Sequence, residues 1–187
     1  MTRIIAGALR GRRLTVPRGS DIRPTTDRMR ERLFSMLQHD RYPPLAGAGV
    51  VDLFAGTGAL GLEALSRGAA WVTFVDNAPG ALSCLRENIS ALNAGDRCKV
   101  LRTDARHIGT TETAADIIFM DPPYRQGLIP PTLSRLSAGG WLYDGSLVVA
   151  ELASDEDMTV PMGWTLLDDR SQGAQRIMFL KPDGDGD

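Results

Sequence analysis

The sequence contains few of the residues that build metal centres or disulfide frameworks. It has two cysteines and two histidines among 187 residues, and neither Cys84 nor Cys98 stands in a spacing typical of a metal site. We therefore expect no bound metal, and unpaired cysteines are typical of the reducing cytoplasm. No apolar run approaches the roughly 20 residues that cross a bilayer. Arginines interrupt the apolar residues at the N-terminus, so we expect neither a signal peptide nor a membrane location.

Lysine is also scarce, so arginine supplies nearly all of the positive charge. Residues 1–41 hold ten arginines and four acidic residues, so their net charge is +6. Because the whole chain has a net charge of −2, the remaining residues carry −8. A basic segment attached to an acidic body is typical of proteins that contact a polyanion such as RNA. A solvated charged surface is the alternative. The candidate RNA-binding residues are Arg3, Arg10, Arg12, Arg13, Arg23 and Arg28.

Residues 1–41 also predict a small β-hairpin followed by an amphipathic helix. "RIIAG" and "RRLTVP" flank a turn, and Met29, Leu33 and Met36 share one helical face that excludes Arg28. We interpret residues 1–41 as a basic RNA-binding extension. Residues 42–182 then form the main domain, and residues 183–187 form an acidic tail that we expect to be disordered.

Short β-branched runs alternate with helical patterns along the main domain. The segments "GVVDLF", "WVTFVD", "CKVLRTD", "ADIIFMD" and "GSLVVAEL" predict five strands of a mainly parallel sheet covered on both faces. "GWTLLDD" and "AQRIMFLKP" flank a short turn and predict an antiparallel hairpin. The fold class is therefore α/β, with a mainly parallel seven-stranded sheet that ends in an antiparallel C-terminal hairpin.

A glycine-rich loop, "DLFAGTGALG", follows the first strand of this domain. Gly56, Gly58 and Gly61 match G-x-G-x-x-G, and Asp76 ends the next strand, spacings that formally describe a nicotinamide dinucleotide site. Asp52 opposes that interpretation, because a carboxylate beside the loop would repel a pyrophosphate. A cofactor with a cationic amino group and no phosphates, such as S-adenosylmethionine, suits Asp52 better.

The candidate cofactor-binding residues lie at the ends of three successive strands. Asp76 would accept hydrogen bonds from ribose hydroxyls. Asp104 would either accept from the adenine amino group or cap the following turn, and the sequence leaves both alternatives open. The full set is Asp52, Phe54, Ala55, Gly56, Thr57, Gly58, Asp76, Asn77, Asp104 and Ala105.

A second candidate site is the tetrad Asp121, Pro122, Pro123 and Tyr124, which ends the fourth strand. Two prolines remove two backbone donors and hold the chain extended, so their carbonyls point outward without competing N–H groups. Asp121 and the carbonyl of Pro122 could accept both hydrogens of an exocyclic amino group and turn its lone pair towards a methyl donor. Tyr124 offers an aromatic face for an unstacked base. A strand-ending turn with a packing tyrosine is the alternative.

Taken in order, "DLFAGTGALG", "FVDNA", "RTDA" and "DPPY" resemble the S-adenosylmethionine-dependent amino-methyltransferases. "RIIAG", "RGRRL" and "RPTTDRMRERLF" resemble, more narrowly, the RsmD-type 16S ribosomal RNA guanine-N2 methyltransferases. The resemblance covers essentially the whole chain except the acidic tail. It implies a Rossmann-like class I methyltransferase fold, S-adenosylmethionine as cofactor, and guanine 966 of 16S ribosomal RNA in the small subunit as substrate. Arg23 and Thr25 lie in a family motif without an assigned role.

The general motifs specify an amino group better than they specify a base. Asp-Pro-Pro-Tyr also occurs in adenine-N6 methyltransferases, so adenine in RNA or DNA is an alternative substrate. A nicotinamide-dependent oxidoreductase would explain only the glycine loop and Asp76, whereas a non-catalytic RNA-binding assembly factor would bind RNA without transferring a methyl group. No heptad repeat or apolar surplus predicts obligate assembly, so we expect a monomer.

Overall fold

The computed structural model describes residues 2–17 and 27–184. In the N-terminal segment, β1 (Thr2–Arg3) pairs antiparallel with β2 (Arg13–Leu14), so the predicted hairpin is present with a short ladder. The amphipathic helix follows as α1 (Asp27–Met36). Arg23 and Thr25 lie outside the described residues, as do the last three residues of the acidic tail.

Seven further strands form one sheet, as the sequence predicts. They are β3 (Gly49–Leu53), β4 (Trp71–Asp76), β5 (Cys98–Arg102), β6 (Ile117–Met120), β7 (Leu147–Ala153), β8 (Trp164–Gln172) and β9 (Gln175–Pro182). Their order across the sheet is β5-β4-β3-β6-β7-β9-β8. The strands from β3 to β7 pair in parallel, and β9 pairs antiparallel with both β7 and β8. The predicted Rossmann-like fold is confirmed.

Three helices cover this sheet, namely α2 (Ala59–Ser66), α3 (Pro79–Ala91) and α4 (Ile129–Ala138). Every residue of β3, β6 and β7 is buried, because helices cover the sheet on both faces. The hairpin, α1, α2 and α3 pack into one hydrophobic cluster, and α4 packs into a second cluster. The N-terminal extension therefore shares a core with the main domain.

Two buried charged side chains attach the N-terminal hairpin to the helices. Arg30, which is fully buried, donates to the carbonyl oxygen of Arg3 and to the Asp27 carboxylate, each at 2.7 Å. Glu63 of α2 accepts from the backbone N–H groups of Ile5 at 2.7 Å and Ala6 at 3.0 Å. A buried charge that loses hydrogen-bond partners is costly, so these contacts hold the hairpin in one position.

Strand order reverses at β3, because β4 lies on one side of it and β6, much later in the chain, lies on the other. Leu53 at the end of β3 pairs in register with Met120 at the end of β6. The glycine loop and the Asp-Pro-Pro-Tyr tetrad therefore leave the sheet side by side. In open α/β sheets this crevice is where ligands bind.

Gly61 permits α2 to lie close against β4. A Cβ atom at this position would be 2.4 Å from Cε1 of Phe74 and 2.8 Å from Cγ1 of Val72, both in the core. We expect Gly61→Ala to lower the free energy of unfolding by about 1–3 kcal/mol in urea denaturation. The control is Gly80→Ala in α3, where an added Cβ meets no atom within 4 Å, and it should not destabilise the protein.

Candidate functional site

A cavity of about 640 Å³ opens at the point where the strand order reverses. Its walls come from the loops after β3, β4 and β6, with contributions from β1, β7 and β9. Eleven of the predicted site residues line it, namely Asp52, Phe54, Ala55, Gly56, Thr57, Asp76, Asn77, Asp121, Pro122, Pro123 and Tyr124. The structure thus brings both candidate sites of the sequence into one cavity.

The glycine loop turns through three left-handed residues, Phe54 (φ 58°), Gly56 (φ 55°) and Gly58 (φ 81°). The backbone N–H of Ala55 donates to the carbonyl of Val75 in the neighbouring strand at 3.0 Å. Glycine is required at position 56 because the backbone conformation is left-handed, not because a side chain would clash. Only one atom would lie within 4 Å of an added Cβ. Phe54 is a non-glycine residue in a costly conformation, which is frequent at ligand sites.

Asp76 holds the glycine loop and the start of α3 together at the end of β4. Its Oδ2 accepts from the N–H of Gly56 and its Oδ1 accepts from the N–H of Ala78, each at 2.8 Å. Each carboxylate oxygen has further lone pairs, so Asp76 can accept additional hydrogen bonds from hydroxyl groups in the cavity.

Asp52 is almost completely buried, with a relative exposure of 1%. Its Oδ2 accepts from the backbone N–H of Gly61 at 2.8 Å. Burial raises the pKa of this carboxyl group well above its ordinary value, and the nearby Asp121 and Asp76 carboxylates raise it further. A cation beside Asp52 would favour its ionised form.

The electrostatic character of the cavity is acidic. Four carboxylate side chains line it, those of Asp52, Asp76, Asp121 and Glu151, and among the described residues no lysine, arginine or histidine does. Such surroundings disfavour a pyrophosphate and favour a positively charged ligand. They weigh against a nicotinamide dinucleotide and fit the ammonium and sulfonium groups of S-adenosylmethionine.

Tyr124 is held by a hydrogen bond that the sequence did not predict. Its hydroxyl donates to Oε1 of Glu151 at 2.5 Å, and the same oxygen accepts from Nε2 of Gln175 at 2.9 Å. Burial raises the pKa of Tyr124, and the Glu151 carboxylate raises it further, so the phenol stays protonated at neutral pH. The phenol ring is thereby fixed beside Asp121 in the cavity wall.

The loop after the tetrad is anchored to the segment that follows β7. The backbone N–H of Arg125 donates to Oε2 of Glu156 at 3.0 Å, and its guanidinium contacts both oxygens of Asp155 at 2.8 and 2.9 Å. Arg125 has a left-handed backbone conformation (φ 58°). The tetrad is thus attached at both ends, by β6 and by this contact.

Three of the predicted cofactor-binding residues do not line the cavity. Gly58 packs beneath the loop, where an added Cβ would be 2.4 Å from Cδ1 of Leu85. Asp104 accepts from the backbone N–H of Arg106 at 2.8 Å and from its guanidinium, and this pairing lowers the pKa of Asp104 to about 2. Asp104 therefore caps a turn in the structure, and Ala105 is buried beside it.

Five of the six predicted RNA-binding arginines are described by the structure, and these five lie outside the cavity. Within the described ranges, the predicted arginines are all exposed, namely Arg3, Arg10, Arg12, Arg13 and Arg28. The guanidinium of Arg3 pairs with Asp27 at 3.3 Å, and that of Arg12 donates to the carbonyl of Ala91. Arg23 belongs to the segment that the structure does not describe.

Sequence reasoning missed Glu151 and Gln175, which complete the wall behind Tyr124. An acidic residue inside the apolar run of β7 was the available signal, because a fully buried carboxylate needs a partner. Gln175 carried no such signal, since it begins a strand beside a turn.

Residues 2–17 and 27–184 show neither a membrane-spanning helix nor a metal centre. None of the helices there is both long and apolar enough to cross a membrane. No group of three or more histidine, cysteine or acidic side chains in residues 2–17 and 27–184 is arranged to hold a metal ion.

Known proteins resemble this chain both in sequence and in fold. The family model described as "Conserved hypothetical protein 95" matches residues 2–181. The chain is 39% identical to ribosomal RNA small subunit methyltransferase D of Escherichia coli K12, over 99% of this chain and 93% of that protein. It is 34% identical to the Haemophilus influenzae protein of the same name, over 91% and 89%. The solved structure of the methyltransferase candidate yhhF from Escherichia coli has a TM-score of 0.84 and 38% identity, and covers 97% of this chain and 98% of that chain.

Proposed function

Because this chain belongs to the RsmD-type methyltransferase family, we propose that it methylates the N2 amino group of a guanine in 16S ribosomal RNA. The methyl donor is S-adenosylmethionine, and the substrate is the small ribosomal subunit or its RNA. The resemblance of the N-terminal motifs supports guanine 966 as the nucleotide. The protein would act as a monomer in the cytoplasm.

The observation that carries this proposal is the shared cavity of the glycine loop and the tetrad. Acidic side chains from three neighbouring strand ends, those of Asp52, Asp76 and Asp121, line it together. A cationic methyl donor and an amino group with hydrogens to donate are both complementary to such a wall. A nicotinamide cofactor explains neither the tetrad nor the acidic lining.

S-adenosylmethionine, when bound, supplies a methyl group on a positively charged sulfur. Asp52 would hold its ammonium group and Asp76 its ribose hydroxyls, while the glycine loop lets the backbone approach. The residues present therefore fit this cofactor.

The tetrad would orient the substrate amino group, whose lone pair is otherwise delocalised into the base. Asp121 and the carbonyl of Pro122 accept its two hydrogens, which turns the lone pair out of the ring system towards the methyl donor. When the new nitrogen–carbon bond forms, the bond from the methyl carbon to the donor sulfur would break, the sulfur would leave as a neutral thioether, and the nitrogen would lose one proton to Asp121 or to water. Orientation and electrostatics supply most of the rate, so a strong general base is not needed.

The experiment that tests the proposal is transfer of radiolabelled methyl groups to small subunits from a strain that lacks this protein. We expect one labelled nucleotide, a guanine methylated at N2, located by digestion and primer extension. Label on adenine N6 would refute the guanine assignment. Binding of RNA without transfer of labelled methyl groups would favour an assembly factor. Reduction of a substrate with consumption of a nicotinamide cofactor would favour an oxidoreductase.

Tyr124→Phe tests whether the hydrogen bond to Glu151 positions the tetrad. We expect a roughly tenfold loss of kcat/KM, because the ring remains but its orientation is no longer fixed and Glu151 loses a donor. The matched control is Tyr143→Phe, since the Tyr143 hydroxyl donates to Asp116 at 2.7 Å away from the cavity. Equal activity of both variants would contradict this role for Tyr124.

A further inference from the structure

A second, basic depression adjoins the acidic cavity. It has a volume of about 200 Å³ and lies between α1 and the hairpin formed by β8 and β9. We call it the arginine groove and define it by Arg28, Arg32, Arg170, Gln172 and Gln175, which line it. Among the described residues, no acidic side chain lines this groove.

Most of the positive charge of the arginine groove is not neutralised within the described part of the chain. Arg32 donates to the amide oxygen of Gln172 at 2.5 Å, a neutral acceptor. No carboxylate of residues 2–17 or 27–184 forms an ion pair with Arg28 or Arg32. Arg170 pairs with Asp168 at 2.9 Å, but Asp168 also pairs with Arg41 at 2.5 Å, so one carboxylate serves two guanidinium groups.

Gln175 connects the arginine groove to the cavity. It lines both depressions, and its Nε2 donates to the carboxylate of Glu151 that holds Tyr124. The two depressions therefore share one lining side chain among the described residues and have opposite charge. An RNA strand that inserts one base into the acidic cavity must keep its phosphates outside, and the adjoining groove is complementary to them.

The N-terminal hairpin places Arg12 far from the cavity. Arg12 contacts the carbonyl of Ala91, the last residue of α3, whereas Ala78 and Ala81 at the other end of that helix line the cavity. At about 1.5 Å per residue, the 13-residue helix from Pro79 to Ala91 spans roughly 20 Å. The groove is thus better placed than Arg12 to contact phosphates next to the target nucleotide.

We propose that the arginine groove binds the RNA phosphates that flank the target nucleotide. This inference rests on the proposed function. It extends the RNA-binding surface from the N-terminal segment to the C-terminal hairpin. Arg170 and Gln172 of β8 would act together with Arg28 and Arg32 of α1. Guanidinium groups contact phosphate through paired N–H donors, which orients the strand as well as attracting it.

The test compares a groove variant, Arg28→Ala/Arg170→Ala, with a control variant, Lys99→Ala/Lys181→Ala. The control removes two exposed positive charges, from the β5 edge and from the far end of β9. For each protein we would measure binding to a 16S ribosomal RNA transcript between 50 and 200 mM salt, about the range in which phosphate binding weakens steeply. Methyl transfer to small subunits and affinity for S-adenosylmethionine are measured in parallel.

The groove variant should bind RNA about tenfold to a hundredfold more weakly. Its salt slope should fall by about 1.4, because each single-stranded phosphate that an arginine neutralises adds about 0.7 to the slope. Its cofactor affinity should equal that of the wild type, which also shows that it is folded. Arg28→Lys/Arg170→Lys should recover the salt slope.

The proposal would be overturned if the groove variant bound RNA as tightly as the control variant. This holds whether neither variant is weakened or both are weakened equally. If the wild-type protein transfers no label, the proposed function fails instead, and the comparison of salt slopes still shows whether the groove binds RNA.

Discussion

The Asp121→Ala variant is expected to lose methyl transfer by about 10²–10⁴-fold while it binds S-adenosylmethionine nearly as tightly as the wild type. Asp121 lines the cavity where β6 ends, in register beside the glycine loop that follows β3. In the proposed mechanism, the carboxylate of Asp121 acts on the substrate amino group rather than on the cofactor. Its removal therefore affects a contact that strengthens as the new bond forms, and kcat falls with kcat/KM.

The measurement pairs labelled methyl transfer with calorimetric titration of the cofactor. Asp121→Asn is the conservative variant, because an amide oxygen still accepts one hydrogen bond but cannot take a proton. We expect its activity to lie between those of wild type and Asp121→Ala. Unchanged transfer by the alanine variant would disprove the role of Asp121. A loss of cofactor affinity as large as the loss of rate would assign Asp121 to the cofactor instead.

Asp52→Asn is expected to stabilise the cofactor-free protein at neutral pH and to weaken cofactor binding by about two to three orders of magnitude. Folding raises the pKa of Asp52, mainly by burial. The native state therefore binds more protons than the unfolded state, and stability falls as pH rises from the ordinary carboxyl pKa through the raised one. Asparagine is uncharged and so avoids the free-energy cost of burying an ionised carboxylate. It also lacks the charge that would hold an ammonium group.

Thermal melts between about pH 4 and pH 8, with and without S-adenosylmethionine, measure both effects. Without cofactor, wild type should lose stability with rising pH relative to Asp52→Asn, and added cofactor should reverse the order. The control is Asp116→Asn, because Asp116 also accepts from a backbone N–H, that of Gly49 at 2.7 Å, but does not line the cavity. Equal cofactor affinity of wild type and Asp52→Asn would exclude an ionic contact.

The strands and helices around the site could be predicted because their determinants are local. A β-branched run, a glycine turn and a helical pattern each depend on neighbouring residues, and parallel βαβ units bring strand ends to one edge. Asp52, Asp76 and Asp121 lie at or just after the ends of such strands, so their convergence was predictable from the sequence. Asp104 stands in the same kind of position, yet it pairs with Arg106 in the structure. Spacing alone did not distinguish a cofactor contact from a turn cap.

The α/β class, the seven strands and the residues that line most of the cavity follow from periodicity and from motifs at strand ends, so local sequence was enough to predict them. Only the tertiary structure placed Glu151 behind Tyr124, enclosed the charge of Arg30, and set Arg28 beside Arg170. Each of these pairings joins residues that are distant in the chain or buried by other elements. Contacts of that kind depend on how helix α1 and the loops pack against the sheet and on how its strands pair, which no local pattern encodes.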